Sequence, residues 1–152
     1  MSVLHQPPAP TWWEQQWFNL VRREQELAAE EAWLEEERTR SFPERSRQRA
    51  QTCQEQEARL LQQMQHQSKE SRRANIAWVL TGVGRPALSR AQQAAHFAHA
   101  LEAVRNEYQR REAQDRQWLE RRTRELELKR AQLQADRQVF ADLMQQYNVV
   151  LP

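Results

Sequence analysis

The sequence predicts an all-α protein: an elongated helical hairpin or coiled coil with an additional N-terminal amphipathic helix. Three observations predict it. The 152 residues contain two glycines, Gly82 and Gly84, both within Leu80-Thr-Gly-Val-Gly-Arg-Pro86. The stretches from Glu44 to Leu80 and from Ser89 to Tyr147 hold neither Gly nor Pro. Apolar residues recur every seven positions, as Trp13, Leu20, Leu27 and Leu34 near the start and as Leu119, Leu126, Leu133, Phe140 and Tyr147 near the end. Gly and Pro are the residues a helix interior tolerates least. A chain that keeps them in short joints is built from long helices, and seven-residue spacing gives each helix one apolar face.

Residues 1–10 carry Pro7, Pro8 and Pro10 and read as an extended, proline-rich tail. Thr11-Trp-Trp-Glu14 matches a capping box, so a tryptophan-rich amphipathic helix is expected over 11–40, beginning at Trp12. Ser41-Phe-Pro-Glu44 is a second box with Pro43 in its first turn, and reads as a break and restart. The second helix then covers 41–80. Its seam, at alternating spacings of three and four, is Ala50, Cys53, Glu57, Leu60, Met64, Gln67, Ser71, Ala74 and Trp78. So polar a seam needs a partner surface.

Residues 81–88 form a Gly/Pro hinge. Ser89-Arg-Ala-Gln92 supplies a third box, opening a long third helix over 89–147, roughly 87 Å at ~1.5 Å per residue. Its first half places Ala94, Phe97, Leu101, Val104 and Tyr108 on one face; its second half follows the Leu119 heptads. The two stripes differ in register, which implies a stutter or bend near Arg110–Arg116. Residues 148–152 are a C-terminal tail. A short joint favours antiparallel packing of the second and third helices. Because the third is the longer, its 126–147 stripe is expected to overhang, where it meets the first helix or another chain.

Composition narrows the function. Apolar residues are 39 % and charged residues 29 %; mean hydropathy is −1.04. With 22 glutamines, such a chain buries a stripe rather than a thick core. The net charge of +2 hides a layout. Residues 1–40 carry four Arg against eight Glu, residues 41–88 eight basic against four acidic groups, and residues 89–152 eleven against nine. A pI near 9.1 therefore does not describe a uniformly basic nucleic-acid binder. Glu30, Glu31 and Glu35–Glu37 end the first helix, and Arg45, Arg47 and Arg49 begin the second, both against the helix dipoles. A fold-back at Pro43 would let the clusters offset each other. One cysteine, Cys53, makes an intramolecular disulfide impossible and a reducing compartment the default. No run approaches the ~18 apolar residues of a membrane span, and the first ten residues lack the charged and apolar regions of a secretory signal.

The strongest specific signal is aromatic. Trp12, Trp13, Trp17 and Phe18 cluster at the head of the first helix. They are expected to anchor in a partner's groove; the competing expectation is internal packing against the hairpin. The overhanging Leu126, Leu133, Phe140 and Tyr147 are the second expected partner-binding set, with self-association through the 119–147 heptads. Trp78, in the apolar Ile76-Ala-Trp-Val-Leu-Thr-Gly-Val83, is expected to pack at the hairpin tip. The Gly82/Gly84 segment lacks the Gly-Lys-Ser/Thr ending of a phosphate loop. His96 and His99 sit one turn apart without a completing ligand, and are expected to face solvent. No Ser/His/Asp or Cys/His arrangement can be assembled, so no catalytic, cofactor or metal residue is expected.

The expectation is thus a non-enzymatic helical structural or adaptor subunit with protein partners in a large assembly. A cytoskeletal, microtubule- or axoneme-associated place fits a rod of mixed charge, with a cytoplasmic location. The alternatives are a helical accessory protein of a mitochondrial ribosome or other mitochondrial complex, and a secretion-system stalk or chaperone-like hairpin. Nucleic acid is not favoured as a partner, because glutamates interleave with the arginines at 120–127.

Overall fold

The computed structural model describes residues 8–82 and 89–150. The described residues form an all-α helical hairpin: α1 (Pro10–Glu36), a π-helical turn (Glu37–Ser41), α2 (Phe42–Thr81) and α3 (Arg90–Gln146). Contacts divide the chain into two units. Unit 1 joins residues up to Arg40 with those from Gln117 onward; unit 2 comprises Ser41–Arg116.

Each helix end has a local cause. α1 starts at Pro10, two residues earlier than the Thr11 box implies, with Ala9 as cap and no side-chain cap bond. Pro10 supplies a preset φ at a position whose N–H has no helical acceptor. The expected tail over 1–10 therefore gives up its last residue to the helix, and residues 1–7 lie outside the described residues. The second expected box is not made either. Ser41 is itself helical (φ −70°, ψ −44°) and makes no side-chain cap bond.

The expected break at Ser41–Glu44 is instead a wide π turn over Glu37–Ser41. A proline ring collides with the carbonyl four residues earlier, here Thr39, and a π turn is one way a helix passes such a residue without ending. The fold-back at Pro43 is accordingly not observed. Glu35 and Glu36 pair locally with Arg38 and Arg40, while Glu30 and Glu31 reach across to α3.

α2 ends at Thr81 because Gly82 takes the left-handed conformation (φ +65°) and donates its N–H to Trp78 O at 2.8 Å. The rest of the expected 81–88 hinge, Gly84 and Pro86 included, lies outside the described residues. The third box is made as expected: Ser89 N donates to Gln92 Oε1 (3.0 Å) and Gln92 N to Ser89 Oγ (3.2 Å). α3 closes on Asn148 at φ +50°. Val149 N donates to Met144 O (2.9 Å) and Asn148 N to Gln145 O (3.3 Å), the paired bonds of a Schellman ending.

Unit 1 pairs α1 with the C-terminal part of α3. Trp13, Leu20, Leu27 and Leu34 are buried, as are Leu119, Leu126, Leu133 and Phe140. Trp13 meets Phe140 with ring centroids 5.7 Å apart. Each seven-residue step forward along α1 is matched by seven back along α3, so the pair is antiparallel and its rungs are apolar. Ion pairs edge the seam: Arg23–Asp136 (2.6 Å), Glu24–Arg137 (2.8 Å), Glu30–Lys129 (2.9 Å) and Glu30–Arg122 (3.1 Å). Each buried Leu or aromatic stabilises by about 1.5–3 kcal/mol, each partly exposed ion pair by about 1 kcal/mol or less. The apolar rungs hold unit 1 together, and the ion pairs set its register.

Unit 2 pairs α2 with the first part of α3 and is built differently. Its seam residues Cys53, Glu57, Leu60 and Met64 on α2, and Phe97, Leu101, Val104 and Tyr108 on α3, are half-buried. Its one buried residue among those described is a glutamate, Glu112, 8 % exposed. The stutter expected near Arg110–Arg116 is absorbed without a break in the α-helix. Beyond Ser71 the α2 seam stops: Ala74 and Trp78 are exposed, as is every residue from Arg72 to Gly82. Trp78, 42 % exposed, is therefore not buried at the tip as expected.

Candidate interaction surfaces

The aromatic head of α1 separates by helix geometry. Trp13 lies on the seam and is 3 % exposed, with Tyr147 (6.1 Å) and Trp12 (4.9 Å) against it as well as Phe140. Trp17, one turn on, stacks on Phe140 at 6.3 Å yet is 40 % exposed, and Phe18 is 69 % exposed. Trp17, Leu20, Phe140 and Met144 line an open groove of about 410 Å³. Of the expected partner-binding residues, Trp17 and Phe18 present surface. Trp13, Leu126, Leu133 and Phe140 are buried within unit 1, and Trp12 and Tyr147 are half-buried. The 126–147 stripe does not overhang: it is covered by α1 of the same chain, the first of the two fates expected for it.

A second aromatic edge was not legible in advance. Trp33 and Trp118 meet edge-on at 5.7 Å and both remain over a third exposed. Each precedes a seam leucine, Leu34 and Leu119, and that shared offset was the available signal.

Unit 2 contains a polar lock. Arg49 donates from Nε to Glu112 Oε1 (2.9 Å) and from Nη1 to Asp115 Oδ2 (2.6 Å). Its Nη2 lies 2.9 Å from the same Glu112 oxygen without hydrogen-bond geometry. Burial works against the charge of Arg49, but the hydrogen bonds to Asp115 and Glu112 outweigh it and hold the guanidinium above its usual pKa. Glu112 stands seven residues before Leu119, so extending the heptad upstream puts a carboxylate in the seam and calls for a cation opposite.

Beside the lock, Arg49, Cys53, Val104 and Tyr108 help to line an open groove of about 510 Å³. Burial, and then the neighbouring Glu57 carboxylate, push the Cys53 thiol up, which disfavours its thiolate form. Arg105 donates to that carboxylate at 2.9 Å, a bond that raises the arginine's own pKa. His96 and His99 are exposed, as expected. Among the described residues no group of three His, Cys, Asp or Glu is placed to hold a metal ion, and no helix is long and apolar enough to cross a membrane.

The geometry defines a class: antiparallel helix pairs whose distinctive chemistry lies on exposed faces. No protein-family model, curated protein or solved structure matches the chain.

Proposed function

We propose that the chain is a non-enzymatic structural or adaptor subunit that holds protein partners in a larger assembly. The observation that carries this is the exposed aromatic surface of unit 1. Trp17, Phe18, Trp33, Trp118, Leu128 and Val139 all stand more than a third exposed in a unit whose seam is already filled. Large aromatic side chains left outside a satisfied seam are what protein interfaces use as anchors, and exposed apolar patches of this kind mark contact sites. The grooves between the helices are open, a shape that suits a docking helix or loop better than an enclosed substrate.

The assembly we propose is cytoskeletal and microtubule-based. A single α-helix of 57 residues, with both signs of charge interspersed along it, can follow a filament surface over roughly 85 Å. Co-pelleting of the purified chain with assembled microtubules tests both parts. The chain is expected in the pellet, and a Trp17→Ser/Phe18→Ser variant in the supernatant with its helical circular dichroism intact. A wild-type chain that stays in solution overturns the cytoskeletal reading. A variant that pellets as well as wild type removes the aromatic face from the contact.

A further inference from the structure

The tip of unit 2 carries a second surface with a different chemistry. Ile76, Val79 and Leu80 lie at i, i+3 and i+4 on one face of α2, and they are 53, 74 and 78 % exposed. They form one wall of an open groove of about 380 Å³, whose other wall is Ser89, Arg90 and Gln93 at the start of α3. Gln93 Nε2 donates to Ser71 Oγ across the groove at 2.6 Å. The charge there is of one sign. No acidic residue occurs between Glu70 and Glu102, a span whose described residues include Arg72, Arg73 and Arg90. Arg72 and Arg90 border the groove. Elsewhere in unit 2, Arg45, Arg47, Arg49, Arg105, Arg110 and Arg111 each have a carboxylate at close range, as Arg49 has Glu112 and Asp115 and Arg105 has Glu57.

We propose that this groove receives an acidic amphipathic helix of a partner protein, which completes a three-helix layer over the end of unit 2. The occupant's apolar stripe would lie on Ile76, Val79 and Leu80, and its carboxylates would meet Arg72, Arg73 and Arg90. Three features select this occupant. The free basic groups demand negative charge. The wall from Ser68 to Leu80 runs about 18 Å along α2, the length of three helical turns and enough for i, i+3, i+4, i+7 anchors. The groove is concave and carries Ser71, Asn75 and Gln93 among its lining, whereas a lipid surface calls for a protruding apolar face. The proposal rests on the adaptor reading and names the chemistry of one partner, at a surface separate from Trp17 and Phe18.

The test uses the full chain and a fluorescein-labelled synthetic peptide of about 20 residues, built from Leu, Ala and Glu so that carboxylates flank one apolar stripe. A twin carries Lys in place of Glu. In fluorescence anisotropy the acidic peptide is expected to bind at least about tenfold more tightly than the twin. Val79→Glu/Leu80→Glu is expected to weaken it by at least about the same factor. Arg72→Glu/Arg73→Glu, at exposed positions, is expected to reverse the preference toward the Lys twin. Equal binding of the two peptides, or an unchanged preference in the Arg72/Arg73 variant, overturns the proposal. So does sedimentation with phosphatidylserine vesicles by a chain that ignores the acidic peptide, which would assign the groove to a membrane. Microtubule pelleting through Trp17 and Phe18 reads the proposed cytoskeletal contact independently, so failure of the groove and failure of that adaptor contact are distinguishable.

Discussion

At the scale of single residues, three positions set local behaviour. Gly82 ends α2 at φ +65°, and among the described residues nothing would lie within 4 Å of a Cβ there. Backbone strain alone then decides the effect of a side chain there, since a left-handed residue other than glycine costs about 1–2 kcal/mol. Gly82→Ala is expected to lose about that much in urea denaturation followed by circular dichroism. At Asp136, the hydrogen bond from Arg23, and then that from Gln132, hold the carboxyl below its usual pKa. A folded pKa below the unfolded one contributes stability that is present above the unfolded value, near pH ~4, and is lost as the pH falls through the folded value. Asp136→Asn is therefore expected to lower the urea midpoint near neutrality and to lose that deficit in acid.

Arg49 and Glu112 behave as a pair. Removing one partner strands the other in a half-dry seam, at a cost of about 1–3 kcal/mol. Arg49→Met alone is expected to cost that much, while Arg49→Met combined with Glu112→Leu recovers most of it, because the double change continues the apolar heptad of Leu119. A double change as damaging as the sum of its parts in urea titration would contradict this account of the lock.

At the scale of elements, the two helix pairs differ in what their seams bury. Leu27→Ala removes a side chain that is 4 % exposed and is expected to cost about 2–5 kcal/mol. Leu60→Ala, at a half-buried position of α2, is expected to cost less than half of that. Hydrogen exchange should show the same asymmetry along the chain. The amides of Arg72–Thr81, where every side chain is exposed, are expected to exchange well before those of Leu20–Leu34, whose opening requires apolar rungs to part.

At the scale of the whole molecule, the two units should lose structure at different denaturant concentrations. Five of the six tryptophans (Trp12, Trp13, Trp17, Trp33 and Trp118) belong to unit 1, and Trp78 to unit 2. Circular dichroism reports both units, and tryptophan fluorescence reports mainly the apolar one. The dichroism transition is expected to begin at lower urea than the fluorescence transition, a departure from two-state behaviour. Coincident transitions would show that the polar seam of unit 2 is held as firmly as the leucine seam of unit 1.

The helices and their apolar faces were legible in the residues themselves. Helix formation is a matter of bonds four residues apart, so the Gly- and Pro-free runs, the Ser89–Gln92 box and the Leu20 and Leu126 heptads declare themselves one element at a time. Local chemistry misleads where two residues compete for one role. Pro10 takes the start of α1 from Thr11, and a π turn carries the helix past Pro43 where a restart was expected. What the tertiary structure alone decided is which face meets which. A heptad stripe is equally sticky toward any other stripe, and pairing Trp13 with Phe140 links positions more than a hundred residues apart in a chain whose local rules cannot rank that choice. That pairing buries Leu126 and Leu133, which the sequence offered as an outward surface. It leaves Trp17, Phe18 and the basic groove at Leu80 as the chemistry available to a partner.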